Sequence, residues 1–329
     1  MVKAVTREVL LLAGLAALSG CALVLGFEEH EPFPEGGGGA GASGTGGGSS
    51  SGGAVPSAGG GGAGGEGAGG VDVLLIPDPS TDSVGMYSPV DGTYLGDFIP
   101  PITGTEPYTF QTPHEAIQGP DGRIYVSDQL TDSIVRFEPD GSFESIFADA
   151  TDGLDNVRGM DFRNDILFAS HSPIAGTKAI VTFNLSGTRL ADFIPDIDAF
   201  DIFFTPANTA LVANIEDPDD IRLYDVDGTN YQSLLSIDFP QQIQPLPDGD
   251  FVVAAWTDVV QFTIAGTVVR SITGLSSCSG VYPLEDGQWL ISSDDGVQSI
   301  NPFSMQVVDT KRVGSSYLKI EKVNLPALP

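Results

Sequence analysis

Gly92-Thr93-Tyr94-Leu95-Gly96-Asp97-Phe98-Ile99-Pro100 recurs almost intact as Gly187-Thr188-Arg189-Leu190-Ala191-Asp192-Phe193-Ile194-Pro195. Weaker copies are Asp140-Gly141-Ser142-Phe143, Asp227-Gly228-Thr229-Asn230 and Ala265-Gly266-Thr267-Val268. Each glycine separates two runs of β-formers, which is the pattern of a tight hairpin. A second element lies upstream in each unit: Asp121-Gly122-Arg123-Ile124-Tyr125-Val126-Ser127-Asp128, then Asp248 to Ala255 and Asp286 to Ser293, with divergent copies at Asn164 to Ala169 and Asn208 to Ala213. These runs are apolar on both faces, as a strand covered on both sides must be. Six units begin near Val71, His114, Val157, Phe200, Gln241 and Ser279, about 38 to 43 residues apart, a length that suits four strands each. The expectation is an all-β, six-bladed propeller with four-stranded blades. A two-sheet sandwich is the alternative, but it does not call for repeats of constant length. The first unit starts at what reads as a second strand, Asp72 to Asp78, so its innermost strand must come from elsewhere. Tyr317 to Val323 near the carboxyl end is the candidate, and such closure removes sheet edges that would otherwise pair with other chains.

The stretch His114 to Phe147, HEAIQGPDGRIYVSDQLTDSIVRFEPDGSFESIF, resembles an NHL repeat, well in this blade and loosely in the others. The resemblance implies the propeller fold. It does not imply one function, because NHL-like and related six-bladed propellers include scaffolds, lactonases, lyases and sensor domains.

Upstream of the repeats the composition changes abruptly. Lys3 and Arg7 precede an apolar run from Val9 to Ala17, followed by Leu18-Ser19-Gly20-Cys21. This resembles the bacterial lipobox, which implies cleavage after residue 20, a diacylglycerol on Cys21 and anchoring in a membrane. An uncleaved anchor and an ordinary signal peptide are the competing readings; Val9 to Gly26 is barely long enough to span a bilayer. Under the sorting rule of enteric bacteria, Ala22 after the cysteine implies outer-membrane delivery. Gly36 to Gly70 is nearly all Gly, Ser and Ala, too poor in apolar side chains to fold. A coil of about 45 such residues reaches roughly 35 to 40 Å. The organisation is therefore 1–20 signal peptide, 21–70 lipidated cysteine and linker, and 71–329 propeller, placed at the outer membrane or cell surface.

With 44 acidic and 14 basic residues the formal net charge is −30, which argues against a nucleic-acid partner. Cys21 and Cys278 are the two cysteines, so no disulfide framework exists and Cys278 is expected to be a small buried hydrophobe. The Asp-rich stretches Asp149 to Asp155 and Asp217 to Asp227 lack full EF-hand spacing and read as loops.

Aligning the repeats puts Glu115, Arg158, Asp201, Gln242 and Gly280 at equivalent places where the innermost strands begin, around one mouth of the channel. The ends of the second strands give Asp78, Asp128, His171, Asn214, Trp256 and Asp294. Glu115, Asp201 and Asn214 offer the oxygen donors that Ca²⁺ or another divalent cation takes, and His114 or His171 would serve as base or ligand. Arg158, Gln242, Asp128, Trp256 and Asp294 are the remaining candidates for binding at the mouth. A polar rim is also what any water-filled entrance shows, and in NHL-like repeats an Asp after the second strand closes a turn. Two functions follow. The leading one is a non-enzymatic envelope module binding a protein, peptide or glycan. The other is an extracytoplasmic, divalent-metal-dependent hydrolase or lyase. They differ in whether those side chains meet within metal-ligand distance of one point or whether Arg158 pairs with Glu115 or Asp201 and fills the mouth.

Overall fold

The computed structural model describes residues 70–314 and 316–327. Cys21, the signal segment and the Gly-rich linker lie outside the described residues. Six four-stranded antiparallel sheets account for nearly all of the rest. Blade 1 pairs Glu321–Leu325, Val71–Asp78, Ser83–Tyr87 and Tyr94–Ile99 in that spatial order. Blade 2 runs Pro113–Gln118, Ile124–Asp128, Ser133–Phe137 and Phe143–Ala148, and blade 3 Met160–Arg163, Ile166–His171, Ala179–Asn184 and Arg189–Pro195. Blade 4 runs Ala199–Phe204, Ala210–Asn214, Asp220–Tyr224 and Tyr231–Ser236, and blade 5 Pro240–Pro245, Phe251–Ala255, Asp258–Phe262 and Val268–Thr273. Blade 6 is Gly280–Pro283, Trp289–Ser293, Gly296–Asn301 and Gln306–Arg312. The sole helical segment among the described residues is a 3-10 turn at Ala150–Asp152, capped by Asp149.

There is no single core. Apolar side chains gather into six clusters, one between each pair of neighbouring blades. Val73 and Leu75 face blade 2, meeting Ala116, Ile124 and Val126, while Leu74 and Ile76 of the same strand face blade 6, meeting Leu290 and Val297. This alternation explains why the second strands read as continuous apolar runs: each supplies both walls of the gap on either side. Every residue of Ile124–Asp128, Ala210–Asn214, Phe251–Ala255 and Trp289–Ser293 is buried.

The sequence repeat has a mechanical cause. In the hairpin of blade 3, Gly187 sits at φ +81°, and a Cβ there would lie 2.3 Å from the carbonyl oxygen of Phe147 on the outer strand of blade 2. Gly141 approaches Phe98 of blade 1, and Gly228 approaches Phe193 of blade 3, in the same way, at 2.5 and 2.6 Å. The Asp-Phe-Ile and X-Gly-Thr/Ser halves of the motif are thus two sides of one inter-blade contact. Only a residue without a side chain permits both the left-handed backbone and the close approach.

Two expectations shift. The closing strand is Glu321–Leu325, paired Val71↔Leu325 through Leu75↔Glu321, so it sits later than Tyr317 to Val323; Leu318 still donates its N–H to the Pro77 carbonyl at 3.1 Å, extending the contact. The stretch Asp217 to Asp227 is not all loop, since Asp220–Tyr224 is the third strand of blade 4. Its acids hid a period-two pattern in which Ile221 faces one blade gap and Tyr224 the other.

Candidate functional site

The innermost strands surround the axis, and three carry the same irregularity. Pro113 pairs with Asp128 and Glu115 with Ser127, skipping His114; Phe200 is skipped between Ala199 and Asp201, and Gln241 between Pro240 and Gln242. A bulge of this kind bends the strand and re-aims the extra residue. Here it brings His114, Phe200 and Gln241 to the channel mouth, directly above Glu115, Asp201 and Gln242.

Below the mouth the channel is filled. The Lys319 ammonium, from the segment leading into the closing strand, contacts Asp201 Oδ1, Glu115 Oε1 at 3.3 Å and the Phe200 carbonyl at 3.1 Å, and the side chain is fully buried. The acids also cap the exposed edges of the innermost strands. Glu115 accepts from Met160 N in blade 3, Asp161 from Phe204 N in blade 4 at 2.8 Å and Asp201 from Ile243 N in blade 5 at 2.8 Å. Gln242 Oε1 accepts from Val281 N in blade 6 and Ile320 N in blade 1, at 3.0 and 3.1 Å. Its amide nitrogen, with that of Gln244, donates to Glu321 Oε1 at 2.7 and 2.8 Å. Burial pushes Glu321 up to about 8 and Asp161 up to about 7, and it raises Glu115 as well. Burial opposes the charge on Lys319, but Asp201 and Glu115 outweigh it and keep the amine protonated.

The expected ring is corrected at one place. The residue equivalent to Glu115, Asp201, Gln242 and Gly280 is Gly159, because Gly159 pairs with Ser170 as Gly280 does with Ser292. Arg158 lies one residue earlier, level with His114. A Cβ on Gly159 would lie 2.6 Å from the Phe200 carbonyl and 2.7 Å from Lys319 Nζ, so the glycine leaves room for the lysine. Nor does Arg158 fill the channel. Its guanidinium pairs with Asp198 Oδ1 at 3.2 Å, and Asp198 also accepts from Lys178 and Ser172. The second set of positions mixes two registers. Asp78, Asp128, His171 and Asn214 end their strands, but the corresponding residues in blades 5 and 6 are Ala255 and Ser293, and Trp256 and Asp294 stand one residue beyond. Counting forward from the Asp-Gly turns at Asp121, Asp248 and Asp286 gives the strand ends Asp128, Ala255 and Ser293.

Of the candidate ligands, the fold joins Glu115 and Asp201, through Lys319, and leaves Asn214 apart. The Asn214 amide donates to Asp220 Oδ1 at 2.8 Å and to the Glu216 carbonyl at 2.9 Å. Asp128 accepts four backbone N–H groups, from Gln111, Thr112, Leu130 and Thr131, at 2.7 to 3.1 Å, and closes its turn. His171 Nδ1 accepts from Asp155 N at 3.1 Å. Asp294 donates its backbone N–H to Ser276. Among the described residues no three His, Cys, Asp or Glu side chains converge as ligands would. Cys278 is buried, its thiol pushed up to about 12 by desolvation.

Above the filled channel lies a cavity of about 210 Å³. Its wall includes His114, Phe200 and Gln241 from the innermost strands and Ser279 and Leu318 from the segments leading into them, with Gln129 and Trp256 from the rim. Aromatic rings step outward from Phe200 to Phe239 to Trp256, with centroids 5.2 and 5.4 Å apart. Three buried polar atoms at this level have no hydrogen-bond partner: His114 Nδ1, Gln241 Nε2 and Arg158 Nε. Desolvation, with Lys319 and Arg158 nearby, holds the His114 imidazole well below its usual pKa and therefore neutral. Sequence reasoning missed Lys319, Glu321, Asp161, Gln244, Phe200 and Gln241. The available signal was Lys319 and Glu321, two charges placed alternately with Leu318 and Ile320 at the entry to the closing strand.

Fold and site together define a six-bladed β-propeller with a plugged axis and a partly apolar recess over the plug. No family model matches the chain, and no curated protein matches it. Solved structures do. A protein of unknown function from Bacteroides caccae aligns at 15% identity and TM-score 0.55, over 77% of this chain and 98% of that one. A chain of the nidogen/laminin complex aligns at 14% and 0.59, with the same coverage of 77% and 98%. A gluconolactonase from Xanthomonas campestris aligns at 14% and 0.54, over 67% of this chain and 78% of its own. At these identities the likeness is one of fold. Among the described residues no helix is long and apolar enough to cross a membrane.

Proposed function

We propose that this chain is a lipid-anchored cell-envelope protein whose propeller, similar to NHL-like propellers, is a recognition module that binds its ligand at the channel mouth. The anchor is the lipid on Cys21, and the Gly-rich segment is the spacer that carries the disc clear of the headgroups. One observation carries the reading. The carboxylates that a metal-dependent hydrolase would aim at a cation, Glu115 and Asp201, are held by the Lys319 ammonium and by strand-edge N–H groups. The protein's own cation fills the charged centre, and the unpaired capacity lies above it, in the mouth. The test is calorimetric titration of the full chain carrying Cys21→Ser with Ca²⁺, Mg²⁺, Mn²⁺ and Zn²⁺ after chelation, repeated with Glu115→Gln. No stoichiometric binding that depends on Glu115 is expected. Tight binding lost in Glu115→Gln would return the site to metal chemistry and call for a lactone and ester screen.

A further inference from the structure

The cavity wall contains no Asp, Glu, Lys or Arg side chain, in a chain with 44 acidic residues. The nearby charges stand behind the wall and have counter-charges, Arg158 Nη1 on Asp198 and Lys319 on Glu115 and Asp201, although Arg158 Nε has no partner. An ionised ligand would find no charged side chain on the wall itself, and burying one without a partner is costly. What the wall does offer is neutral: the Gln241 amide and the His114 imidazole, each with an unpartnered buried nitrogen, the Trp256 indole, and the apolar surface of Phe200, Leu130, Pro79 and Leu318.

The recess also offers no backbone edge at the axis for an extended peptide to pair with. The inward N–H groups of Met160, Phe204, Ile243, Val281 and Ile320 are occupied by Glu115, Asp161, Asp201 and Gln242. Recognition there falls to side chains that mix hydrogen-bonding groups with aromatic faces. The recess is small, about 210 Å³, below the roughly 300 to 1,000 Å³ of sites for drug-sized ligands, which suits a compact ligand such as one sugar ring.

We infer that the mouth cavity binds a single uncharged sugar ring, a neutral hexose or N-acetylhexosamine, hydrogen-bonded by Gln241, His114 and Trp256 and packed against Phe200. The inference rests on the recognition reading and names its ligand class. The sugar is either free or the terminal unit of a glycan, and both present the same ring.

The test uses the full chain carrying Cys21→Ser, titrated with glucose, galactose, mannose and N-acetylglucosamine, each hexose beside its uronate where one exists, since glucuronate keeps the ring of glucose and adds a carboxylate. Immobilised glycans ending in the same sugars separate a terminal unit from a free monosaccharide. Gln241→Leu and Trp256→Phe are the variants, with thermal melts to show that each is folded. The expected result is one site per chain for at least one neutral sugar, bound about tenfold or more tighter than its uronate, with a loss of at least about tenfold in each variant. Equal or better binding of the uronate, binding that survives both variants, or no binding of any neutral sugar would overturn the assignment. Capture of a neutral peptide, lost in Gln241→Leu while no sugar binds, would also overturn the sugar but leave the mouth as a recognition site. Glu115-dependent binding of a divalent cation would instead overturn the recognition reading beneath it.

Discussion

Replacing Lys319 by methionine tests the centre of the propeller, because Met keeps most of the length and packing of the lysine stem and removes the charge with its N–H donors. The wild-type ammonium is fully buried between Glu115 and Asp201 and also donates to the Phe200 carbonyl. Without it the two carboxylates face each other in a site that water does not reach, and the loss of one partner from a buried ion pair costs about 3 to 5 kcal/mol. The carboxyls have one escape, protonation, which near pH 7 costs about 4 kcal/mol for a group of ordinary pKa, at 1.36 kcal/mol per unit. The escape becomes easier in acid. The destabilisation of Lys319→Met should therefore be largest near pH 8 and shrink by roughly 1.4 kcal/mol per pH unit for each carboxyl that must be neutralised, down to pH 5. Urea unfolding of the Cys21→Ser chain, followed through Trp256 and Trp289, gives the midpoints. Adding Glu115→Gln and Asp201→Asn to Lys319→Met should restore most of the loss, since a neutral set needs no counter-charge. A Lys319→Met chain within about 1 kcal/mol of the parent at pH 8, with no change in pH slope, would refute the view that this lysine neutralises the channel.

Glu321 has the opposite sign. Its folded pKa, about 8, lies above its unfolded value, so the stability it contributes is full below about pH 4.3 and is lost as pH rises through 8; Glu321→Gln should flatten stability between about pH 5 and 8, and an unchanged slope counts against the buried-acid reading. Gly187→Ala, at φ +81° with its Cβ 2.3 Å from the Phe147 carbonyl, should lower stability by about 2 kcal/mol or more, measured by the same urea curves, whereas Gly249→Ala, with open space around it, should lose only the cost of its positive φ. Native Cys278, buried and with its thiol pushed up to about 12, should resist a thiol reagent until the chain is unfolded; fast labelling of the folded protein would show that the blade 5–6 gap opens. Cys21→Ser should move the protein from the detergent phase to the aqueous phase, and persistence in the detergent phase would argue for an uncleaved anchor.

How far the sequence could be read follows from what kind of contact each feature depends on. The blades were legible because their determinants are local and repeat: Gly187 and Phe193 lie in one motif, and the same pairing of hairpin glycine with outer-strand carbonyl recurs in neighbouring blades. The two-faced second strands were legible for the same reason. The channel was not, because its chemistry joins residues far apart in sequence. Lys319 and Asp201 are 118 residues apart and meet only when the last segment closes the first blade. In the third repeat the ring position is Gly159, which has no side chain to mark it, so the polar Arg158 beside it stood in its place. A ring of Glu, Asp and Gln around a propeller axis has two physical meanings, a ligand set for a cation or a set of caps for the inner strand edges. The sequence holds both. What separates them is the neighbouring N–H: a carboxylate already accepting from the next blade, with a lysine of its own chain on the other oxygen, has little capacity left for a metal. In this protein the acids cap the strand edges and hold the lysine that fills the axis, and the buried polar atoms left without partners above them are His114 Nδ1, Gln241 Nε2 and Arg158 Nε.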